Sequence, residues 1–196
     1  EQLESAINSY ENAIAIKPNL AQAHYNLGLI FNELRDHAKA VRSYEKAIAI
    51  NPNYQEAYNN LGGAFQMLSK MNLAVKCYKK AIEIDQSFLE AHINLGLLLT
   101  ELGKLTEAES YLRKAITINP ESSKAHNNLG NALKDLNKLE EAESSYRKAI
   151  DLKPDFANAY SNLGIIFYAN GDLDSSLESL EKAYSLKPES KLLLTV

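Results

Sequence analysis

The chain has 196 residues, of which 45% are hydrophobic and 23% are charged, a composition that excludes an intrinsically disordered segment. Lys and Arg number 21 against 25 Asp and Glu, and this net charge of −4 argues against a protein that binds the phosphate backbone of nucleic acids. The single cysteine, Cys77, excludes a disulfide framework, and the apolar run at residues 95–99 is much too short to span a membrane.

The prolines of the sequence recur in one register, at spacings of 34 residues or a multiple of 34. They are Pro18, Pro52, Pro120, Pro154 and Pro188. Asn-Leu-Gly triplets follow the same step, and their glycines are Gly28, Gly62, Gly96, Gly130 and Gly164. Several registers with a single period indicate an array of structural repeats.

Each period predicts two amphipathic helices. In the first full period, apolar residues at steps of three and four predict one helix from Ala21 to Leu34 and a second from about Ala38 to Asn51. The link between the helices contains Gly103, Asn137 or Gly171 in three periods, residues that tolerate the left-handed conformation at a helix end. Proline ends the second helix. The residue after it is predicted to cap the next first helix; these N-caps are Asn19, Asn53, Ser87 and Asp155, with capping boxes from Asn53 to Glu56 and from Ser87 to Glu90.

This phase divides the chain into a leading half repeat and five full repeats that form a single all-α solenoid of antiparallel helix pairs. Residues 1–20 are predicted to be a partial repeat with a second helix only. The full repeats are expected at 21–54, 55–88, 89–122, 123–156 and 157–190, and residues 191–196 start a cap or a truncated repeat. Because the sequence starts with Glu and in mid-repeat, we expect further protein upstream.

Glycine inside a helix costs about 1 kcal/mol relative to alanine, so glycines in one register need a structural reason. We expect each glycine to let the paired helix approach closely, with a large side chain of that helix against it. Those side chains would be Tyr10, Tyr44, Tyr78 and Tyr146, with Leu112 and Leu180 in the remaining repeats.

The repeated positions resemble the tetratricopeptide repeat. Each repeat has His or Tyr, then Leu, Gly and Phe or Leu, and later Ala, Tyr or Leu, Ala and Pro; the first of these positions holds His24, Tyr58, His92, His126 and Tyr160. The resemblance covers nearly the whole chain. It implies a right-handed α-α superhelix whose first helices line a concave groove, and a protein-binding function.

One register of the first helices carries the candidate binding residues, which we call the asparagine ladder: Asn26, Asn60, Asn94, Asn128 and Asn162. On a helical wheel these residues point away from the apolar face. A carboxamide can pair with both the C=O and the N–H of a peptide bond, so the ladder is predicted to hold an extended polypeptide by its backbone. It resembles the ladder in the repeat domain of O-GlcNAc transferase, which implies the same use. The alternative is that these residues hydrogen-bond between neighbouring repeats, and the two roles can coexist.

Other residues on the ladder face could select the polypeptide. They are Glu56, Glu90, Glu101, Asn131 and Asp135. The four carboxylates predict a ligand that carries Lys or Arg near the ladder. The two-carboxylate clamp of repeat co-chaperones is not expected, because its leading lysine falls on Tyr25, Asn59, Ile93, Asn127 or Ser161.

No catalytic, metal or cofactor site is expected. The histidines at 24, 92 and 126 occupy equivalent packing positions, and no two histidines are four residues apart. The segment is therefore predicted to be a non-enzymatic, cytoplasmic scaffold that binds a protein or peptide, without binding nucleic acid or entering a membrane. Two alternatives remain open: the substrate-recruiting arm of a larger enzyme such as a protein O-glycosyltransferase, and a self-associating structural scaffold.

Overall fold

The computed structural model describes residues 2–187, and over this range all regular elements are α-helices, eleven in number. They are α1 (Gln2–Ile16), α2 (Ala21–Glu33), α3 (His37–Ile50), α4 (Gln55–Met67), α5 (Met71–Ile84), α6 (Leu89–Glu101), α7 (Leu105–Ile118), α8 (Ser123–Asp135), α9 (Leu139–Leu152), α10 (Ala157–Ala169) and α11 (Leu173–Leu186). The predicted all-α fold is confirmed. None of these helices combines the length and the apolar character that crossing a membrane requires. The expected cap or truncated repeat at 191–196 lies outside the described residues.

The helices pack as consecutive pairs: α2 with α3, α4 with α5, α8 with α9, and α10 with α11. The predicted bounds of the first pair are right to within one residue, since α2 and α3 end one residue early and α3 starts one residue early. The chain divides into two compact units, of which unit 1 ends at Ala91 and unit 2 begins at His92, inside α6.

In unit 1 the paired helices meet at the repeated glycines. A Cβ atom placed on Gly62 of α4 would lie 2.7 Å from Cε1 of Tyr78 on α5, and one on Gly28 of α2 would collide with the ring of Tyr44 on α3. Both tyrosine rings are buried. The close approach predicted from the sequence is confirmed, with the predicted partner in each pair.

Unit 2 uses the same arrangement with two kinds of partner. A Cβ on Gly130 would lie 2.5 Å from Cε1 of Tyr146, whereas one on Gly96 would lie 2.5 Å from Cγ of Leu112. Gly164 faces Leu180 in the same way, at 2.8 Å from its Cγ. A branched leucine therefore fills the space that a tyrosine ring fills in the other pairs.

The turn inside each helix pair contains one residue in the left-handed conformation. The predicted residues Gly103, Asn137 and Gly171 have φ of 71°, 59° and 79°. Arg35 and Ser69, at the same position in the first two full periods, have φ of 59° and 57°. The N–H of the following residue bonds to the carbonyl five residues earlier, as from Asp36 to Phe31 at 2.8 Å, which is the Schellman arrangement of a helix end.

The predicted N-caps after the prolines are wrong. The N-cap residues of α2, α4 and α10 are Leu20, Tyr54 and Phe156, and none of them makes a side-chain cap bond. Before α4, the polar side chain that precedes the proline makes a local turn instead, in which Oδ1 of Asn51 accepts from the N–H of Asn53 at 3.2 Å. Such Asx turns compete with capping. The helices therefore begin later than the predicted caps and capping boxes require.

Candidate functional site

In unit 1 the ladder asparagines bond to the preceding helix. Nδ2 of Asn60 on α4 donates to the hydroxyl of Tyr25 on α2 at 2.9 Å. Nδ2 of Asn26 on α2 donates to the hydroxyl of Tyr10 on α1 at 3.0 Å. The alternative role considered for the ladder, hydrogen bonding between neighbouring repeats, is therefore observed at these two positions.

In unit 2 the same role is carried out by a network of amides. Nδ2 of Asn162 on α10 donates to Oδ1 of Asn127 at 3.1 Å and to Oδ1 of Asn131 at 3.0 Å, both on α8. The hydroxyl of Tyr146 also donates to Oδ1 of Asn131, at 2.9 Å. Nδ2 of Asn127 approaches Oδ1 of Asn128 at 3.5 Å. The side-chain acceptors on this part of α8 are thus satisfied by the protein itself.

Asn128 is buried like Asn127, with 7% of the residue exposed. It differs in that its Nδ2 has no hydrogen-bond partner among the described residues. Leaving a buried donor unpaired costs about 1–3 kcal/mol. Asn128 therefore carries a polar group that the fold leaves unused. The remaining ladder member, Asn94, is half-buried on α6.

Asn128 lines a concavity of about 510 Å³ in unit 2. Three of its lining residues, Asn128, Asn131 and Asn162, were expected on the ladder face. Leu97, Lys124 and Asn158 also line it, and each is three or four residues from a ladder asparagine on the same helix. Three further lining residues were not predicted, which are Asn127, Phe156 and Ser161. Asn127 and Ser161 directly precede ladder residues, and Phe156 follows proline by two residues. The sequence contains a signal for Asn127 and Ser161, because a polar residue precedes most of the ladder asparagines.

The free polar groups of this concavity include several donors. The acceptors of Asn127 and Asn131 are occupied by Asn162, whereas Nδ2 of Asn128 has no partner within residues 2–187. Lys124 adds an exposed ammonium group. Leu97 and Phe156 contribute apolar surface. The arrangement suits a ligand that offers hydrogen-bond acceptors beside an apolar group.

The predicted carboxylates lie on three of the first helices, α4, α6 and α8. Glu90, Glu101 and Asp135 are exposed, and Oδ1 of Asp135 lies 3.5 Å from Nζ of Lys134. Glu56 is half-buried in the first turn of α4. None of the four lines the concavity of unit 2.

Unit 1 contains an aromatic cluster on the ladder side of α2. The ring centroids of Tyr25 and Tyr54 are 4.9 Å apart, and those of Tyr25 and Tyr44 are 5.9 Å apart. Burial, followed by the negative charge of Glu56, raises the pKa of the Tyr25 hydroxyl. Burial also raises the pKa of Tyr54, to which the charges of Tyr25 and Glu56 contribute. Glu56 follows Tyr54 by two residues in the first turn of α4.

His24, His126 and the single cysteine occupy packing positions. Nε2 of His24 donates to the carbonyl of Pro18 at 3.2 Å, and Nε2 of His126 donates to the carbonyl of Pro120 at 2.9 Å. Cys77 is buried, and this burial raises the pKa of its thiol to about 11. Within residues 2–187 no three His, Cys, Asp or Glu side chains come together as metal ligands.

Family models of this repeat match most of the chain. A model described as TPR repeat matches residues 1–34 and 130–171. Models described as tetratricopeptide repeat match residues 21–54, 53–121, 111–144 and 157–190. No curated protein matches the chain.

Solved structures have the same fold. The crystal structure of MamA is 26% identical with a TM-score of 0.73, over 83% of this chain and 95% of that chain. TTC0263, a thermophilic TPR protein of Thermus thermophilus, is 25% identical with a TM-score of 0.72, over 87% and 93% of the two chains. YrrB, described as a TPR protein with an unusual peptide-binding site, is 23% identical with a TM-score of 0.72, over 92% and 93%, and shows the fold alone. With these structures and the family models in agreement, the chain belongs to the tetratricopeptide repeat family, whose members generally mediate protein–protein interactions.

Proposed function

We propose that the chain is a non-catalytic interaction module that binds an extended polypeptide along its first helices. The observation that carries this proposal is the buried Nδ2 of Asn128 at the concavity of unit 2, which is unpaired within the described part of the chain. Nδ2 of Asn128 is inaccessible to solvent in the unbound protein, so a ligand acceptor would satisfy this donor after the carboxamide rotates toward the concavity. Binding would then recover the free energy that the unbound protein loses there.

A peptide backbone fits the remaining chemistry of the concavity. Its carbonyl groups supply the acceptors that Asn128 and Lys124 require, and an apolar side chain of the ligand can pack on Leu97 and Phe156. The volume of about 510 Å³ lies within the range of sites that bind small ligands, and it accommodates a short stretch of chain.

The two roles considered for the ladder act together in this proposal. The bonds from Asn162 to Asn127 and Asn131 fix α10 relative to α8, so that the walls of the concavity are in place before a ligand arrives. Such preorganisation lowers the entropic cost of binding. Glu101 and Asp135 of unit 2 are exposed and do not line the concavity, and they favour a ligand with basic residues elsewhere along its length.

The experiment is selection of binding peptides from a random twelve-residue library with the full 196-residue chain, followed by titration of the selected peptides. Asn128→Ala is expected to weaken their binding about fivefold or more, the effect of losing one buried hydrogen bond. Asn72→Ala, at an exposed position of α5, serves as the matched control and should leave the affinity unchanged. Equal affinity for wild type and Asn128→Ala, or selection that returns no binding peptide, would contradict the proposal.

A further inference from the structure

Unit 1 has an aromatic and acidic cluster at the repeat positions that form the concavity in unit 2. Tyr25, Tyr54 and Glu56 stand three repeats before Asn127, Phe156 and Asn158. The tyrosine rings lie 4.9 Å apart at an interplanar angle of 35°. The equivalent positions thus carry two rings and a carboxylate in unit 1, but an amide, a ring and a second amide in unit 2.

Hydrogen bonds hold both rings of this cluster in place. The hydroxyl of Tyr54 donates to Oε1 of Gln22 at 2.8 Å, and the hydroxyl of Tyr25 accepts from Nδ2 of Asn60 at 2.9 Å. Both tyrosines are half-buried, so part of each side chain remains accessible to solvent. The cluster is therefore ordered before any ligand binds.

Glu56 gives this cluster its charge. It lies two residues after Tyr54, in the first turn of α4, and its negative charge raises the pKa of both tyrosine hydroxyls. Its Oε1 accepts a hydrogen bond from Nε2 of Gln55 at 3.3 Å, and among residues 2–187 no Lys or Arg forms an ion pair with it. The helices α2 and α4, which supply the ladder of unit 1, contain no Lys or Arg at all. Within the described part of the chain, the negative charge is thus left without a counter-ion.

We propose that Tyr25, Tyr54 and Glu56 form a binding site for the cationic side chain of a lysine or arginine in the ligand polypeptide. A cation is attracted by the face of an aromatic ring and by a carboxylate, and here both are provided at one place. The concavity of unit 2 carries Lys124 instead and selects against a cation. The claim that the cation belongs to a polypeptide rests on the proposed function. The claim that Tyr25, Tyr54 and Glu56 bind a cationic side chain does not depend on it.

The test uses small cations rather than a polypeptide. Nα-acetyl-arginine amide and Nα-acetyl-lysine amide are titrated into the full chain, with ¹³C-labelled tyrosine rings observed by NMR. The ring signals of Tyr25 and Tyr54 are expected to shift and saturate, while those of Tyr184, exposed on α11, stay in place. Glu56→Gln is expected to weaken this binding about fivefold, and Tyr54→Leu by a similar factor.

Glu90→Gln is the matched control, because Glu90 occupies the position of Glu56 one repeat later, with Asn59 and Phe88 where Tyr25 and Tyr54 would be. It should leave the titration unchanged, and thermal unfolding checks that every variant is folded. Absence of saturable shifts, or equal affinity of wild type and Glu56→Gln, overturns the site. If the cation titration fails but the selected peptides still bind, the cation site is wrong and the proposed function is unaffected. If the cations bind but no peptide does, the proposed function is wrong and the cation site is unaffected.

Discussion

The ring of Tyr78 occupies the space in which a side chain at Gly62 would begin, since a Cβ atom there would fall 2.7 Å from Cε1 of the tyrosine. The next residue, Gly63, faces much more open space: its nearest neighbour would be the Tyr78 hydroxyl at 3.8 Å. Two consecutive glycines of one helix therefore differ in whether the structure requires them.

Alanine at these two positions is expected to have opposite effects. Gly62→Ala should lower the free energy of unfolding by about 1–3 kcal/mol, because the tyrosine ring must move in a packed interface. Gly63→Ala should raise it by up to about 1 kcal/mol through the higher helix propensity of alanine. Urea denaturation of both variants measures the difference. A loss of similar size in both would show that contact with Tyr78 is not the cause.

The left-handed turn residues provide a second pair of opposite effects. At Gly103, φ is 71° and a Cβ would meet no atom within 4 Å, so Gly103→Ala should cost about 1 kcal/mol from backbone strain alone. At Ser69, φ is 57°, and Ser69→Gly should relieve strain and stabilise the protein by about 0.5 kcal/mol after the greater chain entropy of glycine is subtracted. Thermal unfolding compares the two, and a destabilised Ser69→Gly would be the contrary result.

Two asparagines of the ladder should differ in their effect on stability. Asn162→Ala removes the donor shared by Asn127 and Asn131, and we expect a loss of about 1–3 kcal/mol. Asn128→Ala removes an unpaired donor and one long contact at 3.5 Å, so its cost should stay below about 1 kcal/mol. Chemical denaturation checks this order. The reverse order would mean that Asn128 has a structural rather than a binding role.

Removing the hydroxyl group from two buried tyrosines is expected to change the free energy of unfolding differently, because one hydroxyl has a hydrogen-bond partner and the other has none among the described residues. The hydroxyl of Tyr146 donates to Asn131 at 2.9 Å, so Tyr146→Phe should cost about 1 kcal/mol. The hydroxyl of Tyr44 is buried and has no hydrogen-bond partner within residues 2–187, so Tyr44→Phe should be neutral or stabilising by about 1 kcal/mol. Denaturation of both single variants gives the comparison, and an equal loss in each would contradict it.

The thiol of Cys77 links stability to alkaline pH. Burial is the main cause that raises its pKa from 9.0 to about 11, so between these values the unfolded chain releases a proton that the folded protein retains. Stability is therefore complete below pH 9 and falls as the pH rises toward 11. We expect the decrease to be smaller in Cys77→Ala, measured by urea denaturation at a series of pH values. Rapid alkylation of the folded wild type at about pH 8, near the ordinary thiol pKa, would show instead that the thiol is accessible.

Repetition in the sequence is the reason why so much of the packing could be predicted. One glycine paired with one large residue, observed five times, identified the contacts from Gly28–Tyr44 to Gly164–Leu180 without any coordinates. The turns at Arg35 and Ser69 were not predictable in this way, because neither side chain favours a left-handed backbone. The packing of each helix pair imposes that conformation on them.

The helical wheel brought Asn128, Asn131 and Asn162 to one face, and these residues line one concavity. It did not identify Asn127, because a wheel describes one helix and the place of Asn127 depends on the adjacent α10. The unpaired amide of Asn128 could not be foreseen for the same reason. Its burial and its lack of a partner within residues 2–187 are properties of the neighbouring helices rather than of its own register.

The bonds from Asn60 to Tyr25 and from Asn162 to Asn127 each join residues 35 positions apart. Contacts of such short range can form as soon as the next helix has been synthesised, without waiting for a distant part of the chain. Folding rates of small domains rise as contacts become more local. We therefore expect each helix pair to dock in sequence order at the ribosome, and a nascent chain to bury its apolar faces progressively rather than in one late event.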